Sequence, residues 1–172
     1  MEGGNRLVKI MSINSHPLVI GLGNEYRSDD AVGHAIARKL KASEANGVEI
    51  KEESGECGAL MDTWKDADYV ILIDAVESGA PPGTIQRFDA NAHGIPSEFF
   101  HCSTHGFGVS ESIELARAIG RLPTHLIVYG IEGKTFASGT TLSPEVRAAA
   151  EEVVQRVRRE LQMNSDSQSG GN

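Results

Sequence analysis

The chain has 172 residues and a formal net charge of −8, and 40% of its residues are hydrophobic while 23% are charged. This length and composition are typical of one globular domain, and an acidic chain lacks the basic surface that binding to nucleic acid or to an anionic membrane requires. Because the sequence has neither a secretory leader pattern nor a long apolar run, we expect a soluble, cytoplasmic protein with no nucleic-acid or membrane partner.

Strand-like and helix-like segments alternate along the chain. Short apolar or period-two runs predict strands at 17–23, 47–53, 69–76, 84–90 and 125–131. Apolar residues at helical spacing predict helices at 29–42, 58–67, 107–121 and from 144 onward. The third helix is expected to turn Val109, Ile113, Ala116 and Ile119 inward, and the last one Val146, Ala150, Val153, Val157 and Leu161.

The ends of the chain differ from this pattern. Residues 1–15 have no clear period and are expected to form a flexible segment. Residues 163–172 are rich in Ser, Gly and Asn, which predicts a disordered tail. Between them, residues 16–162 are expected to form a single α/β domain.

The alternation predicts an α/β three-layer sandwich, with a mainly parallel twisted sheet of about five strands and helices on both faces. Only nine residues separate Asp74 from Thr84. A parallel crossover needs about a dozen residues or more, so the strand that begins at Thr84 should be antiparallel and the sheet mixed.

The first strand leads into GLGNEYRSDDAVG, residues 21–33, which raises the question of a nucleotide site. A dinucleotide fingerprint would need glycine where Tyr26 stands, and the sequence has no P-loop ending. The glycines are therefore expected to allow a tight turn. Asp29 and Asp30 would either favour the dipole of a helix capped by Ser28 or bind a cation.

Two further residues are candidates for a cation site. Asp74 ends the most apolar strand, where a buried carboxylate needs a partner, and ligands bind at the carboxyl ends of such strands. His105 lies in a loop before a helix and could be a ligand, a base or a surface residue. Imidazole and carboxylate together suit Zn, Ni, Fe or Mn. Cys57 and Cys102 could add a thiolate, although small buried thiols are the more usual reading.

Several stretches, taken in order over residues 17–162, resemble the hydrogenase maturation endopeptidases. They are GLGNEYRSDDAVG, ILIDAVESGAPPGTI, STHGFGVSESIELA, LIVYGIEG and LSPEV. The resemblance implies a mixed sheet with helices on both faces, in agreement with the pattern above.

The resemblance also implies an activity, that of an aspartyl-endopeptidase-like, metal-dependent protease. Such an enzyme would remove a C-terminal peptide from the nickel-loaded precursor of a [NiFe] hydrogenase large subunit. The family's metal-binding and catalytic positions fall on Asp30, Asp74 and His105, with Asp29 the less expected ligand. Nickel would arrive with the precursor, other divalent metals could substitute, and the enzyme would be a monomer. The alternatives are a non-cleaving nickel checkpoint or delivery protein and a small-molecule enzyme or nucleotide binder on the same fold class.

Overall fold

The computed structural model describes residues 16–43, 47–96 and 108–169, with side chains through residue 166. Its elements, in chain order, are β1 (Leu18–Leu22), a 3-10 turn (Ser28–Ala31), α1 (Val32–Ala42), β2 (Glu49–Glu53), α2 (Cys57–Trp64), β3 (Tyr69–Val76), β4 (Ile85–Asp89), α3 (Val109–Ala118), β5 (His125–Glu132) and α4 (Pro144–Ser169). The strands and helices therefore alternate as the hydrophobic pattern predicts.

The five described strands form one sheet in the order β2-β1-β3-β5-β4. The first four of these strands run parallel to their neighbours, whereas β4 pairs with β5 in the antiparallel sense. This confirms the mixed sheet and the reversed direction of β4, and β2 forms one edge of the sheet. Because β1 and β3 are adjacent and parallel, their carboxyl ends lie side by side.

Hydrophobic side chains fill both faces of the sheet. On one face, Trp64 of α2 and Ile113 of α3 are fully buried against the strands. On the other, Ile36 of α1 and Val153 of α4 are equally buried. Each fully buried side chain of this size contributes about 1.5–3 kcal/mol, so both helical layers stabilise the sheet. The structure confirms the three-layer sandwich and the inward face predicted for the last helix.

Two predictions about helix ends are wrong. Ser28 does not cap a helix: its hydroxyl donates to the carbonyl of Ala137 at 3.0 Å, and the chain passes through a 3-10 turn before α1 begins. Ile119 does not point inward, because α3 ends at Ala118 and Ile119 is 51% exposed. Ser28 is held by a residue far along the chain, and Ile119 lies just after the end of its helix. The local hydrophobic pattern contains neither feature.

The last helix continues into the segment that was expected to be a disordered tail. α4 runs through Ser169, and the Ser165 hydroxyl donates to the Leu161 carbonyl at 3.0 Å. The N-terminal segment 1–15 and residues 170–172 lie outside the described part of the chain. Within the described ranges, no helix is both long and apolar enough to cross a membrane.

Candidate functional site

The start of α1 lies directly on the ends of two strands because glycines remove the side chains that would keep them apart. A Cβ on Gly33 would lie 2.2 Å from the Leu22 carbonyl oxygen and 2.5 Å from that of Ile73. Gly23 has a φ of +134°, and a Cβ there would lie 1.8 Å from the Asp30 carbonyl oxygen. These close approaches fix Asp30 above the edge formed by β1 and β3.

The segment that joins β5 to α4, residues 133–143, binds this loop from the other side, and we name it the clasp. Ser28 N–H donates to the Gly139 carbonyl at 2.9 Å, and Gly139 N–H donates to the Tyr26 carbonyl at 3.0 Å. Ser28 has a φ of +53°, which is rare for a residue with a side chain. The clasp contacts hold the loop in that conformation.

Asp29 is fully buried, and its carboxylate anchors the clasp. It accepts hydrogen bonds from the N–H groups of Lys134 at 2.9 Å, Thr135 at 3.1 Å and Ser143 at 2.7 Å, and from the Ser143 hydroxyl at 2.8 Å. Burial alone would raise the pKa of Asp29, but these donors hold that pKa below its ordinary value. Both oxygens are therefore occupied by structural contacts.

Asp30 has a different environment from its neighbour. It is 8% exposed, and burial raises its pKa above the ordinary value. The positive charge of Arg27, a hydrogen bond from the Asn24 backbone and the charge of His34 oppose that rise in pKa. Arg27 Nη1 lies 3.9 Å from Asp30 Oδ2, which is longer than a hydrogen bond.

Asp74 lies near the carboxyl end of β3, partly buried, next to Asp30. Its Oδ1 accepts a hydrogen bond from the Ala75 N–H at 2.8 Å. Burial, and after it the negative charge of Asp30, raise the pKa of Asp74 to about 8. The structure therefore brings Asp30 and Asp74 close enough to repel each other. His105, the third predicted member, lies outside the described residues.

A pair of buried carboxylates that repel each other is an arrangement that a divalent cation stabilises. Among residues 16–43, 47–96 and 108–166, no group of three or more Asp, Glu, His or Cys side chains could hold a metal ion. Asp30 and Asp74 thus fit two oxygen donors of a cation site, and any further donor has to come from another part of the chain or from a bound substrate.

Other polar residues of the sequence motifs have roles in the fold. Glu25 makes a surface ion pair with Arg38 at 3.0 Å. Cys57, the first residue of α2, is a free thiol that lies partly buried against the core. His101 and Cys102 lie outside the described residues.

Sequence reasoning missed two residues near the strand ends. Glu132 is 2% exposed and accepts hydrogen bonds from the N–H groups of Ser78 at 3.0 Å and Gly79 at 2.9 Å, which shapes the loop after β3. Glu132 could have been found from sequence, because it is an acid at the end of an apolar strand. The same pattern identified Asp74. His34 has its Nε2 3.0 Å from the Glu53 carbonyl, and its buried Nδ1 has no partner among the described residues. Its position four residues after Asp30 was the available signal.

Comparison with known proteins adds an independent line of evidence. The family model of the HycI hydrogenase maturation proteases matches residues 34–160. The hydrogenase expression/formation protein HupD of Thiocapsa roseopersicina is 27% identical over 76% of this chain, which spans only 60% of that protein's length. The hydrogenase 2 maturation protease of Escherichia coli is 26% identical over 81% of this chain and 87% of its own length.

A solved structure shares the architecture. The [NiFe] hydrogenase maturation protease HybD from Thermococcus kodakarensis superposes with a TM-score of 0.66 at 25% identity, over 85% of this chain and 99% of that one. Since the family model spans more than half of the residues, the chain belongs to the hydrogenase maturation protease family.

Proposed function

We propose that this protein is an endopeptidase that removes a C-terminal peptide from the nickel-loaded precursor of a [NiFe] hydrogenase large subunit. Membership of the protease family supports the reaction class. The nickel-dependent part of the proposal rests chiefly on one observation, the pairing of Asp30 and Asp74 at the carboxyl edge of the sheet. The edge where parallel strands end is also where ligands bind in α/β folds.

The two carboxylates would have different roles in this reaction. Asp30 is held rigidly by the glycine contacts and the clasp, so it suits a fixed ligand to the cation carried by the precursor. Asp74, with a pKa of about 8 before a cation binds, holds a proton at neutral pH. The approach of a cation would favour loss of that proton, and the freed carboxylate can accept a proton from attacking water. Once it has lost its proton, Asp74 would also be a ligand to the cation, and His105 would be the third ligand.

The proposal is tested by incubating the full chain with nickel-loaded and nickel-free precursor and measuring intact masses. The expected result is loss of a defined C-terminal peptide from the nickel-loaded form only. Cleavage of both forms would refute recognition of nickel. Binding of the loaded precursor without any change in its mass would instead favour a non-cleaving checkpoint protein.

A further inference from the structure

Arg27 places a cationic side chain beside the candidate site. Its guanidinium lies 3.9 Å from Asp30, and its side chain is 32% exposed while that of Asp30 is 11% exposed. The backbone of Arg27 is fixed, because its N–H donates to the Asn24 carbonyl at 3.2 Å and the residue forms a β-bridge with Gly139. The side chain, in contrast, extends toward solvent and makes a contact too long for a hydrogen bond. It can therefore leave Asp30 without disturbing the loop.

The charge of Arg27 acts directly on the carboxylate that a cation would bind. Burial disfavours the ionised form of Asp30, and the charge of Arg27 is the largest influence that opposes this effect. A divalent cation bound to Asp30 would meet the same guanidinium at short range. Like charges at short range repel each other, and the repulsion is stronger near a protein surface than in bulk water.

We propose that Arg27 is a resident counter-ion of Asp30 that lowers the affinity of the site for free divalent cations. The inference rests on the proposed function and adds a determinant of specificity to it. A site protected in this way does not fill with free metal ions. A cation that arrives in the precursor brings its own anionic ligands and peptide carbonyls, and the displaced guanidinium can donate hydrogen bonds to them.

Calorimetric titration of the full chain with NiCl₂, without precursor, tests this inference. The variants are Arg27→Gln, Arg27→Lys and Asp30→Asn, together with the double variant Arg27→Gln/Asp30→Asn. Arg38→Gln is the matched control, because it removes an arginine that pairs with Glu25 and Glu52 rather than with Asp30.

The expected result is a gain in nickel affinity of about tenfold or more for Arg27→Gln, which corresponds to about 1.4 kcal/mol or more of relieved repulsion. Arg27→Lys should bind nickel within about threefold of the wild type, because it keeps the charge, and Arg38→Gln should do the same. The gain should vanish in the double variant, since both changes act on one interaction.

Unchanged or weaker nickel binding by Arg27→Gln would overturn the inference and indicate that Arg27 positions the loop. A gain that persists in the double variant would also overturn it, because the cation would then be bound elsewhere. Failure of the proposed function is distinguishable, since the titration contains no precursor and the cleavage assay measures the reaction separately.

Discussion

At the scale of single residues, Asp29 and Asp30 differ in what their carboxylates contact. Four donors from the clasp reach Asp29, whereas Asp30 faces Arg27 and the charge of Asp74. The sequence could not separate the two acids, because the donors to Asp29 are more than a hundred residues away along the chain. Asp74 could be identified from sequence because an acid that ends an apolar strand is a local signal.

This difference predicts that substitutions of the two acids have different effects on the free energy of unfolding. Asp29→Asn should lower the free energy of unfolding by about 3 kcal/mol, because it removes a charge that buried donors stabilise. Asp30→Asn should change it by less than about 1 kcal/mol or raise it, because burial already disfavours the ionised form. Urea unfolding of both variants at pH 7 measures the two values. Equal losses in the free energy of unfolding would mean that both carboxylates stabilise the fold.

The pKa of Asp74 predicts how stability depends on pH. An unfolded chain releases this proton near the ordinary value of 3.8, whereas the folded protein holds it up to about pH 8. The unfolded state therefore binds fewer protons in that window, and the contribution of Asp74 to the free energy of unfolding falls as the pH rises from about 4 to about 8. Asp74→Asn should remove this decline, at most about 1.4 kcal/mol for each pH unit.

Urea unfolding of the metal-free protein at several pH values checks this prediction. Asp62→Asn is a suitable control, because Asp62 is an exposed acid. Its carboxylate lies 3.7 Å from the guanidinium of Arg121, in a surface ion pair. A wild-type profile that runs parallel to that of Asp74→Asn between pH 4 and 8 would show that Asp74 titrates as an ordinary acid.

At the scale of elements, the packing of α1 on the strand ends decides where Asp30 lies. The apolar periods predicted the helices and strands of the described residues, because burial produces those periods. The clasp could not be predicted in this way, since its contacts are backbone hydrogen bonds without a sequence pattern. The same limitation explains the wrong prediction of a cap at Ser28.

A pair of glycine variants tests the role of this packing. Gly33→Ala should cost about 1–3 kcal/mol, because the new methyl group would collide with the carbonyls of Leu22 and Ile73. Gly58→Ala in α2 meets nothing within 4 Å and should raise stability by about 0.5–1 kcal/mol. Thermal unfolding of both variants measures the contrast. If Gly33→Ala unfolded at the same temperature as the wild type, α1 would have to be able to move away from the strands.

At the scale of the whole molecule, another buried acid, Glu160, lies away from the candidate site. Glu160 of α4 accepts hydrogen bonds from Arg87 at 2.8 Å, from Tyr69 at 3.3 Å and from Tyr129. Burial and the charge of Glu160 raise the pKa of Tyr69 to about 12. Tyr69 begins β3 and Asp74 lies five residues later, about 17 Å along the strand. The cluster therefore ties α4 to the sheet without reaching the site.

Glu160→Gln should separate stability from activity. It removes the charge that Arg87 and the two tyrosines contact, and because the Arg87 side chain is 44% exposed and can be solvated, the free energy of unfolding should fall by about 1–3 kcal/mol. Cleavage of precursor per folded molecule should stay at the wild-type rate, because Asp30 and Asp74 are untouched. Urea unfolding and the cleavage assay, run on the same preparation, check both parts. A stable variant that does not cleave would connect this cluster to the site.

The layered fold was predictable as a whole, because each strand and helix carries its own hydrophobic pattern and short connections restrict the topology. The candidate site was predictable only in part. Asp30 and Asp74 approach each other because β1 and β3 are adjacent, which follows from topology. The roles of Asp29 and Glu132 depend on contacts with distant segments, which one sequence does not contain.

The most direct test of the account compares Asp74→Asn with Asp62→Asn in the cleavage of nickel-loaded precursor. The account predicts a loss of about 100-fold or more in the rate for Asp74→Asn, a magnitude typical of removing one catalytic acid or base. Asp62→Asn should cleave at the wild-type rate. Wild-type cleavage by a folded Asp74→Asn variant would contradict the assignment of the site to the Asp30–Asp74 pair.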